Sequence, residues 1–180
     1  MVMTSTYLLA HDLCTTGNKA TLFDASTGLA RAAVFEPYPA AYPQPNWAEE
    51  DPVDWRAAVY AGTRRLLDQA QVRPAAIAAV SFSGTMNGAV FLDRTGEPTR
   101  TAMLWADQRA MDEANPLGAT CGFETVYRRT GHRASASYTA AKALWVKRNQ
   151  PEIYAQTRWI VQAKDYAAMT LSGVIATDLS

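Results

Sequence analysis

The chain has 180 residues, 17 basic against 17 acidic side chains, and 48% hydrophobic content. At roughly 150 residues per domain this length makes one domain or slightly more, and the composition is too apolar for disorder. Zero formal net charge supplies no basic field, which argues against a nucleic-acid binder.

The two cysteines, Cys14 and Cys121, are too few and too far apart for a disulfide scaffold. No apolar run reaches the roughly 18 residues of a membrane span. The start has no basic region and meets His11-Asp12 too early for a signal peptide. A soluble, cytoplasmic α/β domain is expected, with no nucleic-acid or membrane partner.

In chain order, Tyr7–Ala10 and Ala20–Phe23 read as short strands separated by a polar loop over Asp12–Asn18, the pattern of an antiparallel hairpin. Asp24-Ala25-Ser26-Thr27-Gly28 reads as a turn before a third strand, Leu29–Phe35, and Phe91–Gly96 repeats that strand-and-turn phrase. A proline- and aromatic-rich loop, Glu36–Glu50, leads to a strong helix start: Asp51 as cap, Pro52 in the first position, Asp54 in the first turn. Trp55, Val59, Gly62 and Leu66 recur at helical spacing and should face inward. Ile77–Phe82 is a strand candidate running into Ser83-Gly84. Ala140–Asn149 and Asp165–Leu171 are helix candidates, and Trp159–Val161 is a strand candidate. Strands followed by strands alternating with helices predict a mixed sheet with flanking helices.

Three segments carry chemistry. Between the first two strands, Asp12, Thr15, Thr16, Gly17 and Lys19 read either as a polar hairpin turn with a solvated lysine or as a phosphate cradle. In the second reading, amides and hydroxyls meet phosphate oxygens, the lysine neutralises charge, and Asp12 holds Mg²⁺ through water. The Walker A pattern is absent. The second segment, Ser81–Gly88, reads as a β-turn or as a polar loop at a sheet edge, a common place for ligands. The third is Leu104-Trp105-Ala106-Asp107-Gln108-Arg109. It reads as a tryptophan face with Asp and Arg for sugar hydroxyls, or as a buried tryptophan followed by a helix cap and a surface ion pair.

Taken together and in order, the segments resemble the FGGY family of carbohydrate kinases, in the style of its xylulokinase-like branch. Asp12-Leu13-Cys14-Thr15-Thr16-Gly17-Asn18-Lys19 is similar to that family's D-x-G-T-[TS]-x-x-[KR] phosphate motif except at Cys14. Gln44–Trp55 resembles Q-P-G-W-x-E-x-D-P-x-x-W, and Ser83–Gly88 resembles S-G-Q-M-H-G. Leu104–Arg109 resembles L-W-x-D-x-R, and Thr139–Trp145 resembles T-A-P-K-L-L-W. Lys164-Asp165-Tyr166 and Thr177-Asp178 also fall where the pattern expects them, so the resemblance runs from Tyr7 to Ser180.

The resemblance implies a ribonuclease-H-like lobe of the actin and Hsp70 type, working with ATP and Mg²⁺ on a small sugar or polyol. It implies Asp12 as organiser of Mg²⁺ and phosphate, with Thr15, Thr16 and Lys19 beside the transferred group. Met86, Asn87, Trp105, Asp107 and Arg109 would line the sugar pocket. The family's catalytic aspartate lies in a later G-D-[NQ]-x-A motif, with the adenine-binding lobe beyond it. Residues 1–180 are therefore expected to be an N-terminal lobe lacking its base and its C-terminal partner, inactive alone and inclined to self-associate, for instance as a homodimer. Cys14 stands where a glycine is usual, which implies an obstructed phosphate loop or a strained φ. Thr85 and Asn87 replace Gln and His, which leaves the sugar open. A degenerate, non-catalytic sugar-binding lobe is the alternative. A serine hydrolase on Ser83 fails because Ser81 stands where a glycine would be needed. His11 and His132 predict no metal cluster. Cys121, Tyr138 and Trp145 are expected in the core.

Overall fold

The computed structural model describes residues 6–178. Its strands are β1 (Tyr7–Cys14), β2 (Gly17–Asp24), β3 (Ala30–Pro37), β4 (Glu49–Glu50), β5 (Ile77–Gly84), β6 (Val90–Leu92), β7 (Ala102–Met103) and β8 (Trp159–Val161). Its helices are α1 (Pro52–Ala70), α2 (Met111–Cys121), α3 (Phe123–Thr130), α4 (Thr139–Asn149), α5 (Pro151–Gln156) and α6 (Ala163–Ser172). The chain divides into two compact units. The first takes in the chain up to Pro39, Val53–Thr85, and the chain from Lys164 on; the second holds Ala40–Pro52 and Met86–Ala163.

Unit 1 is a four-stranded sheet in the order β3-β2-β1-β5. β1 pairs antiparallel with β2, β2 antiparallel with β3, and β1 parallel with β5, so the sheet is mixed, as predicted. Alternation along β1 buries Tyr7, Leu9, His11 and Leu13 and leaves Leu8, Asp12 and Cys14 exposed, the period of two that a strand imposes. The core gathers Tyr7, Leu9, Ala20, Leu22, Val34 and Leu66. On α1, Trp55, Val59, Gly62 and Leu66 are all buried, the inward face that their spacing predicts. Tyr166 of α6 meets Trp55 edge-on at 6.5 Å, and Tyr60 donates from its hydroxyl to the Thr170 carbonyl at 2.8 Å.

The strands reach further than the sequence reading has them. Residues Asp12–Asn18 are not a loop: β1 continues to Cys14, β2 begins at Gly17, and only Thr15 and Thr16 make the turn. Pairing of Cys14 with Gly17 extends the ladder to the hairpin tip, and backbone pairing outweighs the polar composition there. Likewise β5 runs through Gly84, so the loop of the second segment shrinks to residues 85–88.

Unit 2 contains the pairs β4–β7 and β6–β8 with α2 to α5. Ala89, Phe91, Met103 and Val146 form one core cluster; Ala110, Ala114, Ala136 and Ala141 form another. Trp145 packs partly buried against both. Cys121 does not enter the core: it ends α2 and is exposed. Among the described residues no helix is long and apolar enough to cross a membrane.

Candidate functional site

In unit 1 the sequence-predicted phosphate residues collect at one end of the sheet. Asp12 faces Lys19 across the β1–β2 ladder, and both are exposed. On its other side Asp12 registers with Ser83 of β5, also exposed. Two segments that the sequence separates by some seventy positions are thus neighbours on one face. Thr15 and Thr16 form the turn beside them, and the Thr85 amide donates to the Leu13 carbonyl at 2.9 Å, fixing the exit of β5. At the tip, a Cβ on Gly17 would lie 2.4 Å from the Phe35 ring and 2.6 Å from the Glu36 carbonyl oxygen, so a larger residue would force the hairpin open.

Cys14 shares the exposed face with Asp12, and its thiol donates to Asp12 Oδ2 at 3.3 Å. Desolvation of the sulfur, then the bond to Asp12, raises the thiol above its ordinary range, which keeps it protonated and a donor. The expected strained φ at this position is not found. Cys14 sits in a regular strand, and among the described residues the non-glycine positions with positive φ are Asn46, Gln71 and Asn87. What Cys14 changes is the occupancy of the carboxylate, not the backbone.

Behind this face His11, 1% exposed, ties the hairpin to α1. Asn18 Nδ2 donates to His11 Nδ1 (3.0 Å) and to the Ala58 carbonyl (3.2 Å). This arrangement assigns the imidazole proton to Nε2, which donates to Thr63 Oγ1 (3.1 Å), and the Thr63 hydroxyl donates in turn to the Val59 carbonyl (2.8 Å). The ring stacks on Phe82 with centroids 5.3 Å apart. Burial lowers the pKa of His11 below its ordinary value, the Asn18 hydrogen bond opposing that shift. Sequence reasoning assigned His11 no role; its alternation with Asp12 along β1 was the available signal.

In unit 2 the sugar residues divide into two groups. Met86 is 72% and Trp105 50% exposed, and Asn87 lies beside Met86 with a φ of 63°. These three lie on segments open to solvent. Asp107 and the side chain of Arg109 are buried instead. Asp107 Oδ2 accepts the Ala48 amide at 2.7 Å, and Arg109 donates from Nε to Asp107 Oδ1 at 2.9 Å. Arg109 Nη2 also bonds Asp107 Oδ2 at 2.6 Å and Glu49 Oε1 at 2.7 Å, with 1% of its side chain exposed. Glu49 is held further by Arg100 Nη2 and the Thr101 hydroxyl, both at 2.5 Å. Of the two readings of this segment, the ion pair is present, but as a buried lattice and not at the surface. It binds the tryptophan-bearing Leu104–Arg109 segment to β4, and a fork-shaped guanidinium suits that task because it can serve two carboxylates at once.

The FGGY family of carbohydrate kinases, N-terminal domain, matches residues 7–180. The chain belongs to the FGGY family of carbohydrate kinases. It is 34% identical over 169 residues to the xylulose kinase of Escherichia coli K12, covering 94% of this chain and 34% of that protein. It is 34% identical over 187 residues to the glycerol kinase of Acaryochloris marina, covering 99% of this chain and 37% of that protein. Among solved structures, the xylulose kinase of Rhodospirillum rubrum superposes with a TM-score of 0.84 at 26% identity, covering 91% of this chain and 33% of that one. The chain spans about a third of the length of the curated relatives it matches. The actin- and Hsp70-like lobe expected from the motifs is the fold of these FGGY neighbours.

Within this FGGY chain the residues that hold the segments still are Glu49, Arg100 and Lys142; Glu49 and Lys142 stand in the matched motifs without an assigned role, and Arg100 stands in none. Each is a charged side chain with no local periodicity to mark it; Arg100 and Arg109 meet Glu49 from 51 and 60 residues away, and Lys142 is held by the nearby Ala136 and Ser137 carbonyls.

Proposed function

We propose that this chain supplies the sugar side and the phosphate hairpin of an ATP-dependent kinase that transfers the γ-phosphoryl group to a hydroxyl of a neutral sugar or polyol, in the cytoplasm. Family membership supports the reaction class. The observation that carries the reading is the exposed cluster of Asp12, Lys19 and Ser83 on adjoining strands, with Thr15 and Thr16 at the turn. Catalysis of phosphoryl transfer is chiefly positioning and charge neutralisation. Lys19 would meet phosphate charge, and the turn would offer hydroxyls and amides to phosphate oxygens. Asp12, an exposed carboxylate two residues before the end of β1, fits a hydrated Mg²⁺, an ion that keeps several waters. That ion, when bound, would neutralise charge on the phosphates. Trp105 would present its flat face to the C–H side of the sugar, with Asn87 as hydrogen-bond donor and acceptor, and Asp107 and Arg109 would hold Trp105 in place. In this reading the general base and the adenine site come from residues outside the stretch described.

The test is ADP release by the protein at its full natural length over a panel of neutral sugars and polyols including xylulose and glycerol. Stimulation of ADP release by a neutral sugar or polyol is expected, and its loss in Asp12→Ala. No stimulation by any member of the panel overturns the reading.

One observation favours a second reading, a sugar-binding lobe without catalysis: the Cys14 thiol on the Asp12 carboxylate engages the group proposed for Mg²⁺. Sugar binding by calorimetry with no ADP formed would select it.

A further inference from the structure

We infer that the first turn of α4 is the mount that holds the Met86–Gly88 and Leu104–Arg109 segments in one arrangement, with Lys142 as its positioning residue. The inference rests on the proposed function for its catalytic consequence, and on the geometry of unit 2 alone for its structural content.

Two side chains on the same turn reach in different directions. The Thr139 hydroxyl donates to the Gly88 carbonyl at 2.8 Å, and is itself held by Gln162 Nε2 at 2.8 Å. That bond anchors the loop bearing Met86 and Asn87. Three residues on, Lys142 is 0% exposed. Its ammonium donates to the Ala136 carbonyl at 2.9 Å and to the Ser137 carbonyl. Those carbonyls belong to a stretch without helix or strand, so they have no ladder to satisfy them. The Ser137 hydroxyl then accepts from Gln108 Nε2 at 2.8 Å, three residues beyond Trp105, and the Gln108 amide donates to the Asn46 carbonyl at 2.9 Å. The path from Lys142 to the Trp105 segment is therefore continuous.

A lysine is a costly way to fill a core position. Removing an ammonium from water is unfavourable unless every proton finds an acceptor, and a methionine would occupy similar space without that cost. The charge has a use here because it ties two backbone carbonyls that a methionine would leave unpaired. The charged groups facing it are Asp107, which favours the ammonium, and Arg109, which opposes it. Glu113 of α2, the helix packed against α4, is engaged by Arg148 at 3.1 Å. Burial lowers the pKa of Lys142 to about 8, so the tie is present at neutral pH and weakens as the pH rises above that value.

The experiment compares hydrogen exchange in the full-length protein and its Lys142→Met variant. Exchange at residues 86–88, 104–109 and 135–138 should rise about tenfold, as expected when a local tie is lost, while amides of the β6–β8 pair stay protected. A uniform rise through unit 2, or no rise at the two segments, overturns the mount. If Lys142→Met does not fold, the wild type at pH 9 against pH 7, corrected for intrinsic exchange, gives the same comparison. In steady-state assays the variant should raise the sugar KM about tenfold with the ATP KM unchanged. Loosened segments with an unchanged sugar KM would overturn the positioning role. A wild type that neither turns over nor binds any sugar would overturn the proposed function, and hydrogen exchange would still decide the mount.

Discussion

The Arg109 guanidinium carbon lies 3.5 Å from the centroid of the Trp47 ring and 5.1 Å from that of Trp145. Trp47 and Trp145 meet edge to face, 5.5 Å apart, so the cation sits against two indoles while its nitrogens hold Asp107 and Glu49. Charge, stacking and fork geometry converge on one side chain. Arg109 Nη1 is buried without a hydrogen-bond partner among the described residues, and the indole face is its compensation.

Replacing Arg109 should therefore be severe. Arg109→Leu leaves the buried Asp107 carboxylate without its cation and should cost about 3–5 kcal/mol, with Arg109→Lys less damaging but not neutral, because a point charge cannot span both carboxylates. Denaturant unfolding of the three proteins, with tryptophan emission as probe, checks the order. Equal stability of Arg109→Leu and wild type would show that the lattice contributes nothing.

His11 gives the chain an acid limb. Its pKa is lowered on folding, so the unfolded chain binds the proton more readily. The His11 contribution to stability is complete above the ordinary histidine value near 6.5 and is lost as the pH falls below it. Melting temperature should drop between pH 7.5 and 5.5, and His11→Gln, which cannot titrate, should flatten that limb. An identical slope in the variant would place the effect elsewhere.

Cys14→Gly should release the Asp12 carboxylate from its thiol donor. Removing a weak competitor for a charged oxygen is worth about 1 kcal/mol, so ATP in the presence of Mg²⁺ should bind several-fold more tightly. Glycine in a strand costs roughly 0.5–1 kcal/mol in stability. Calorimetric titration of both proteins separates the two effects, and an unchanged nucleotide affinity would mean that Cys14 is a bystander.

Asn46 adopts a φ of 65° at the position where the family pattern has glycine. Asn46→Gly should be neutral or slightly stabilising because it removes the Cβ that crowds a left-handed backbone. Asn46→Ala keeps that Cβ, loses the polar side chain that makes the conformation tolerable, and should cost about 0.5–1 kcal/mol. The Asn46 carbonyl accepts the Gln108 amide, so the alanine variant should also disturb Trp105, visible as a shift in its emission. Thermal melts of the pair provide the check.

Much of unit 1 was legible in the sequence because its signals are local. Short apolar runs divided by turns mark β1 to β3, and Pro52 with the Trp55–Leu66 spacing marks α1. Helices α2 and α3 were not. Pro116 lies inside α2, and Gly118 and Gly122 punctuate the same stretch, which weakens the local signal of a helix that packing of Ala110 and Ala114 against Ala141 sustains. The motif around Trp105 was found, but the burial of Asp107 and Arg109 was not readable. It depends on Glu49 and Trp47, whose proximity only the folded chain creates. The adjacency of Ser83 and Asp12 was hidden likewise, since strand register is set by the whole sheet.

Unit 1 is interrupted twice by unit 2 along the chain, and its helix α6 comes last. On the ribosome, where the chain emerges from its N-terminus, this sets a schedule. When residue 163 has been made, all of unit 2 is available, yet Trp55 still awaits Tyr166 and Tyr60 still awaits Thr170. Of the two units, the one that starts first is completed second, and until Tyr166 and Thr170 have been made Trp55 and Tyr60 of α1 lack these partners.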